Sequence, residues 1–231
     1  MAGKLLSPLF LCLQEKDGRF GPRVLESVDQ MAITYPNIYV TCTKSGKLDK
    51  SKMREWVHSC LNPNIEEKCL LLLDAWSGQK DCGIYEEVKD LCTRLEIPPK
   101  TTEYIQPLDR YFFRQYKIMR KKIAERLQLD DLPYDLHKRE NIIKLHSLIH
   151  DQLSSTKFVD MIKFAWSDCG YMDKSSQKFQ NVIEVCFPSP TNDNIICETT
   201  NCAEAIFIRC SHCDVHLCIH HFFGELHAHI P

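Results

Sequence analysis

The sequence lacks the features that would place it in a membrane or a secretory pathway. No apolar run approaches the roughly eighteen residues that a membrane-spanning helix needs. The apolar stretch at residues 5–13 is interrupted by Pro8 and has no small-residue cleavage site, so it predicts a strand and not a secretory signal. We therefore expect a chain that is not secreted and has no membrane partner. Its thirteen cysteines should be reduced thiols in the nucleus or the cytosol.

An excess of charge of either sign is also lacking, because 29 Lys and Arg face 31 Asp and Glu for a net charge of −2. Any nucleic-acid-binding surface must therefore be local. Repeats and low-complexity tracts are absent as well. With 44% hydrophobic and 26% charged residues the composition is that of a globular protein. The length of 231 residues suits one domain of ordinary size and a small appendage.

What is present over the first hundred residues is an alternation of predicted strands and helices. Apolar and β-branched segments predict strands at residues 5–14 and 37–43, and Asp17-Gly18 predicts a hairpin turn after the first. Asp49 is the predicted N-cap of a helix that Asn62-Pro63 ends. This alternation indicates an α/β fold.

Residues 68–117 contain the two acidic residues around which the chain is organised. The apolar run 69–73 predicts a buried central strand, with Asp74 where the strand ends, and Asp109 follows a Pro-Pro stretch. The 34 residues between the two leave room for a returning strand and for one crossover helix. The apolar face of that helix would carry Ile84, Val88, Leu91 and Leu95. Two carboxylates at one sheet edge can share a divalent cation such as Mg²⁺.

An aromatic and basic helix is predicted to begin at Arg110. Its apolar face carries Phe112, Tyr116, Met119 and Ile123. Its basic face carries Arg110, Arg114, Lys117 and Lys121. Two interpretations stay open, because this face is either solvated or in contact with nucleic-acid phosphates. Further helices are predicted at residues 138–152 and 155–167, and a linker rich in Pro, Asn and Ser at 188–196.

Two stretches carry a family resemblance. LLLLDAWSGQ at residues 70–79 and IPPKTTEYIQPLDRYFFRQYK at residues 97–117 resemble the catalytic core of DDE-type transposases of the pogo/Tigger/jerky class in the mariner superfamily. The resemblance implies an RNase H-like core, a mixed sheet with flanking helices, as a partial catalytic domain over residues 1–187. Asp74 and Asp109 match the second and third of three carboxylates that hold Mg²⁺ in that family. The first half of the match is looser, since the family usually has Asp-Asn-Ala-Pro-x-His at 74–79.

The same resemblance places the first carboxylate, and the DNA-recognising helix-turn-helix modules, upstream of residue 1. We therefore expect a degenerate or domesticated transposase-derived protein that binds DNA without competent cleavage and binds Mg²⁺ weakly at the Asp74 and Asp109 pair. One alternative is an active metal-dependent endonuclease in which a longer chain supplies the missing carboxylate. A second alternative is an adaptor that contacts a protein partner through its C-terminal module.

That module, at residues 197–231, is rich in cysteine and histidine. Cys210-x-x-Cys213 has the spacing of a zinc knuckle, and the interleaved histidines favour zinc over disulfides. The candidate ligands form consecutive pairs: Cys197 with Cys202, Cys210 with Cys213, Cys218 with His221, and His227 with His229. This order is similar to B-box-type modules, which implies that pairs one and three hold one Zn²⁺ and pairs two and four another. The simpler alternative is one ion held by Cys210, Cys213, His221 and His227.

Overall fold

The computed structural model describes residues 3–173, 178–187 and 195–230. The chain forms two compact units. The upstream unit is Leu6–Gln106, and the downstream unit is Pro107–Pro231 together with Met1–Leu5. Among the described residues, no helix is long and apolar enough to cross a membrane.

The upstream unit opens with strand β1 (Leu9–Gln14), helix α1 (Pro22–Thr34) and strand β2 (Ile38–Thr43). The two strands are parallel, with Leu9 opposite Ile38. The hairpin predicted at Asp17-Gly18 is therefore wrong. A turn does occur there, with Gly18 at φ +69°, but Pro22 then begins a helix. Parallel pairing requires such a crossover, because a hairpin can join only antiparallel strands.

Helix α2 (Lys50–Trp56) confirms the predicted cap, because the Asp49 side chain accepts a hydrogen bond from the backbone N–H of Lys52 at 2.9 Å. The helix continues as a π-helical turn, Val57–Leu61, and a 3-10 turn, Asn62–Asn64. It therefore ends at the Asn-Pro pair where the sequence predicted its end.

Strands β3 (Cys69–Leu73) and β4 (Cys92–Glu96) form a second parallel pair. The strand at 69–73 is confirmed. The prediction that it is a buried central strand is wrong, because it has a single neighbouring strand and Leu70 is 47% exposed. The class α/β is confirmed, and the upstream unit contains two separate parallel pairs. The finer RNase H-like arrangement stays a prediction.

The crossover between β3 and β4 differs from the predicted amphipathic helix. It contains a 3-10 turn, Ser77–Gln79, and a 3-10 segment, Cys82–Val88. Ile84 and Val88 are buried as predicted, whereas Leu91 and Leu95 are 39% and 46% exposed. The chain enters β4 at Cys92, so the helical spacing that joined Leu95 to Ile84 does not apply there. A short helix, α3 (Thr102–Ile105), completes this unit.

The downstream unit is mainly helical. A π-helical turn, Leu108–Phe112, leads into α4 (Phe113–Leu129). The remaining helices are α5 (Arg139–Ser154), α6 (Val159–Asp168, after a 3-10 turn at Thr156–Phe158) and α7 (Val182–Cys186). The tail adds a short antiparallel pair, β5 (Ile208–Arg209) and β6 (His216–Leu217), and a π-helical turn, His220–Gly224.

Helices and tail share one hydrophobic core. Met119 and Ile123 of α4, Leu148 of α5, and Phe222 and Phe223 of the tail are all fully buried in it. The predicted apolar face of α4 is therefore confirmed. The predicted linker at 188–196 lies mostly outside the described residues, and the division into a catalytic domain and a separate tail module stays a prediction.

Candidate metal centres and nucleic-acid surface

Three cysteines and one histidine of the tail converge beside β6, and we call Cys197, Cys202, Cys218 and His221 the first cluster. Their ligand atoms all lie within 4.8 Å of one another. The His221 Nδ1 atom is 3.3 Å from the Sγ atom of Cys197 and 3.1 Å from that of Cys218. The Sγ atoms of Cys202 and Cys218 are 4.0 Å apart.

The second cluster consists of Cys210, Cys213, His227 and His229, again with all ligand atoms within 4.8 Å. Cys210 Sγ is 3.4 Å from His229 Nε2, and Cys213 Sγ is 3.4 Å from His227 Nε2. The two Nε2 atoms are 3.2 Å apart. Asp214, at φ +64°, closes the turn that brings the two cysteines together. Its N–H donates to the Cys210 carbonyl at 3.0 Å.

The geometry of both clusters fits tetrahedral zinc. Zn–S and Zn–N bonds of about 2.3 Å and 2.1 Å place neighbouring ligand atoms of a tetrahedron about 3.4–3.8 Å apart. The six separations given above range from 3.1 to 4.0 Å. A disulfide would need about 2.05 Å between sulfurs, and all thirteen cysteines are free. Thiolate and imidazole donors in this number are those that Zn²⁺ takes in structural sites.

The structure groups the candidate ligands as crossed pairs. The first cluster combines pairs one and three of the sequence order, and the second combines pairs two and four. The one-ion alternative needs His221 beside Cys210, whereas His221 lies with Cys197 and Cys218. Metal binding itself stays a prediction.

One thiol in each cluster is favoured in the ionised form, which is the form that binds metals. Burial raises the pKa of Cys210, but hydrogen bonds from His227 and from backbone amides of the knuckle outweigh it and lower the pKa to about 5. Burial likewise opposes ionisation of Cys197, and hydrogen bonds from Thr199 and from neighbouring backbone amides lower its pKa to about 6.

Two buried polar residues at the end of α5 support the second cluster. Gln152 donates from Nε2 to Cys210 Sγ at 3.5 Å, and its Oε1 accepts the backbone N–H of Ser211 at 2.8 Å. Asp151 accepts the backbone N–H of His229 at 3.1 Å. Such outer partners orient metal ligands. Sequence reasoning missed both residues, because α5 has polar residues along its whole length and no local signal distinguishes these two.

His212 lies between Cys210 and Cys213 in the sequence and is not one of the candidate ligands. It is half-buried, and its Nε2 lies 2.8 Å from the Asp151 carbonyl oxygen. Its ring stacks on that of His229, with 4.9 Å between centroids. In the first cluster, His221 Nε2 faces Glu225 at 3.8 Å. His212, a histidine outside the ligand set, therefore packs against His229 and helps to position it.

Asp74 lies directly after β3 in the upstream unit. Its Oδ1 accepts hydrogen bonds from the backbone N–H of Trp76 at 3.1 Å and from the side-chain amide of Gln79, which is buried. The carboxylate lines a depression of 290 Å³ that also includes Arg94 and Glu96. Asp74 therefore helps to fix the turn after β3.

Asp109 lies in the π-helical turn before α4, in the downstream unit. It lines a depression of 350 Å³, which we call the α4 depression, together with Phe113, Arg114, Lys117, Ile118 and Lys121. Arg110, predicted on the same basic face, instead donates to Asp168 at 2.7 Å. Because Asp74 and Asp109 belong to different units, a cation shared between them stays a prediction.

The described residues thus include Asp74 and Asp109, each lining a depression, three cationic side chains beside Asp109, and two Cys/His clusters. Residues 21–171 match the family described as DDE superfamily endonuclease, and residues 166–229 match the Tc5 transposase C-terminal domain. The chain belongs to the DDE superfamily endonucleases and is transposase-derived, which confirms the resemblance. Asp74 and Asp109 lie within the first match, and all eight cluster residues lie within the second. No curated protein and no solved structure matches the chain.

Proposed function

We propose that this chain is a DNA-binding protein of the nucleus whose downstream unit holds DNA at the α4 depression and is stabilised by two zinc ions. The observation that carries the proposal is the convergence of Arg114, Lys117 and Lys121 on one depression beside Asp109. Helix α4 contains six Lys or Arg residues and a single Glu, within a chain of net charge −2. Such a local field attracts a polyanion that the chain as a whole would not attract.

We further propose that the chain binds DNA without competent cleavage. The family usually has Asn and His where this chain has Ala75 and Gln79. A glutamine amide cannot transfer a proton as histidine does, and this one donates to Asp74. A Mg²⁺ ion at Asp74 would have to displace that amide, so binding there should be weak.

DNA binding is tested with matched triple variants. Replacing Arg114, Lys117 and Lys121 by Ala should lower duplex affinity and flatten the slope of log K against log salt by up to about 2.7, at about 0.9 per phosphate contact. The control removes the same charge at Lys68, Lys138 and Lys178, which are exposed and lie outside the helices and strands. Equal affinity and slope in the two variants would show that the α4 depression is only solvated.

Cleavage is tested separately, by nicking of supercoiled plasmid in Mg²⁺ or Mn²⁺. We expect no product above that of Asp74→Ala. Metal-dependent nicking by the parent chain that disappears in Asp74→Ala would instead support the active endonuclease.

A protein partner for the tail stays a prediction.

A further inference from the structure

The α4 depression has an aromatic wall. Phe113 lines it and is 38% exposed, whereas the adjacent Phe112 is 8% exposed and belongs to the core. The two rings contact edge to face, with 6.0 Å between centroids. A single exposed apolar side chain is ordinary on a protein surface. Phe113 differs because it shares its depression with three cationic side chains.

The order of residues along the helix places the ring between opposite charges. Asp109, Phe113, Lys117 and Lys121 follow one another at intervals of four and therefore form one stripe. Within α4, the intervals from Phe113 to Lys117 and from Lys117 to Lys121 each correspond to a rise of about 6 Å. A ligand lying along the stripe would meet a carboxylate, an aromatic face and two ammonium groups in turn, with Ile118 widening the apolar surface.

We propose that Phe113 is a stacking platform for an unpaired nucleobase, so that the α4 depression prefers single-stranded DNA, or an unpaired end, to continuous duplex. The inference rests on the proposed DNA binding and specifies its substrate class. A duplex presents phosphates and groove edges to this stripe, and the faces of its bases are already stacked. A single strand offers both phosphates for Lys117 and Lys121 and a free base face for the ring.

The test uses the full zinc-loaded chain, a labelled oligothymidine and a labelled duplex of the same length, titrated by fluorescence anisotropy over a range of salt. Phe113→Ala should weaken oligothymidine binding by about 5- to 150-fold and leave duplex binding nearly unchanged. The salt slope should stay the same, because no cation is lost. Leu129→Ala, which truncates an 80% exposed side chain of the same helix, is the matched control.

Two conservative variants separate stacking from folding. Phe113→Leu keeps most of the apolar volume without the aromatic face and should behave like Phe113→Ala. Phe113→Trp should retain single-strand binding and add a fluorophore whose emission decreases when a base stacks on it.

The outcomes distinguish this inference from the proposed function. If Phe113→Ala leaves single-strand binding intact while the basic triple variant loses it, the stacking platform is wrong and the proposed DNA binding stands. Equal losses on single strand and duplex would also overturn it. If the parent chain binds neither ligand at low salt, both proposals fail.

Discussion

The two units of this chain are stabilised in different ways. The upstream unit buries a small cluster between α2 and the β3–β4 pair, which includes Met53, Val57, Ile84 and Tyr85. In the downstream unit, Cys197 and Cys218 of the first cluster also belong to the hydrophobic core of α4 and α5. The candidate metal ligands and the apolar core of the downstream unit are therefore packed together. Both four-residue Cys/His clusters of the described chain lie there.

This difference changes what zinc is expected to do. A tail that folded by itself would lose its structure on chelation and leave the helices intact. Because Phe222 and Phe223 of the tail are fully buried in the core that includes α4, loss of metal should also loosen the helix that carries the α4 depression. Zinc would then support DNA binding without any ligand touching DNA.

The largest expected effect is that of chelation. Structural zinc contributes on the order of 10 kcal/mol per site in small modules, so its removal should abolish hydrogen-exchange protection in the tail and in α4 and α5. Protection in β1, β2 and α2 should persist. Exchange mass spectrometry before and after chelation, with zinc restored as the control, measures this. If α4 keeps its hydrogen-exchange protection in the metal-free chain, the helices fold independently of the tail and this prediction is wrong.

A cavity substitution sharpens the same comparison without touching a ligand. Phe222→Ala should cost about 3–5 kcal/mol of unfolding free energy and reduce protection in α4 and α5. Leu61→Ala, in the upstream core, should cost about 2–5 kcal/mol and affect the upstream elements. Denaturant unfolding followed by exchange locates each effect. A Phe222→Ala effect confined to the tail would contradict a shared core.

Acid should also act mainly on the downstream unit. Burial, with the nearby Arg120, lowers the pKa of His146 from 6.5 to about 4. The unfolded chain therefore binds a proton at higher pH than the folded one, and stability falls as pH falls below about 6.5. From about pH 7 to about pH 5 the loss should be about 2 kcal/mol.

His146→Gln should remove that part of the pH dependence, and zinc content must be checked at each pH because acid also protonates the ligands. Chemical denaturation of the parent chain and of the variant at each pH from 7 to 5 gives the difference in their free energies of unfolding. Identical pH profiles would mean that His146 titrates alike in the folded and unfolded chains.

The smallest expected effects come from helix caps. Asn181 caps α7 by accepting from the N–H groups of Ile183 and Glu184, and Asp49 caps α2. Replacing either residue by Ala should lower the free energy of unfolding of its own unit by about 1 kcal/mol. The other unit should be unaffected. Thermal melts with unchanged zinc content are the measurement. A larger loss from Asn181→Ala that came with released zinc would mean that α7 supports the clusters.

Local signals in the sequence predicted the elements well. The Asp49 cap, the strand at 69–73 and the apolar face of α4 each depend on residues within one or two turns, and the structure confirms them. The four pairs of tail ligands also followed from their order, because the members of each pair are close in sequence, whereas the crossing of the pairs was implied by the resemblance to B-box-type modules. Short-range signals of this kind predict local structure without knowledge of the rest of the fold.

Features that depend on distant residues were not predictable in the same way. Asp17-Gly18 makes a turn in either a hairpin or a crossover, and the choice depends on pairing with β2. Leu91 and Leu95 have helical spacing from Ile84 but lie beyond the point where the chain becomes extended. The support of Cys210 by Gln152 joins residues far apart in sequence, so spacing within the tail could not reveal it.

The most direct test of this account is the zinc content of the purified chain, measured by native mass spectrometry. Two zinc ions per chain are predicted, with Cys218→Ser losing the ion of the first cluster and Cys210→Ser that of the second. One ion in the parent chain, lost in Cys210→Ser and kept in Cys218→Ser, would support the single site. No zinc, with these thiols freely alkylated in the native chain, would contradict the account.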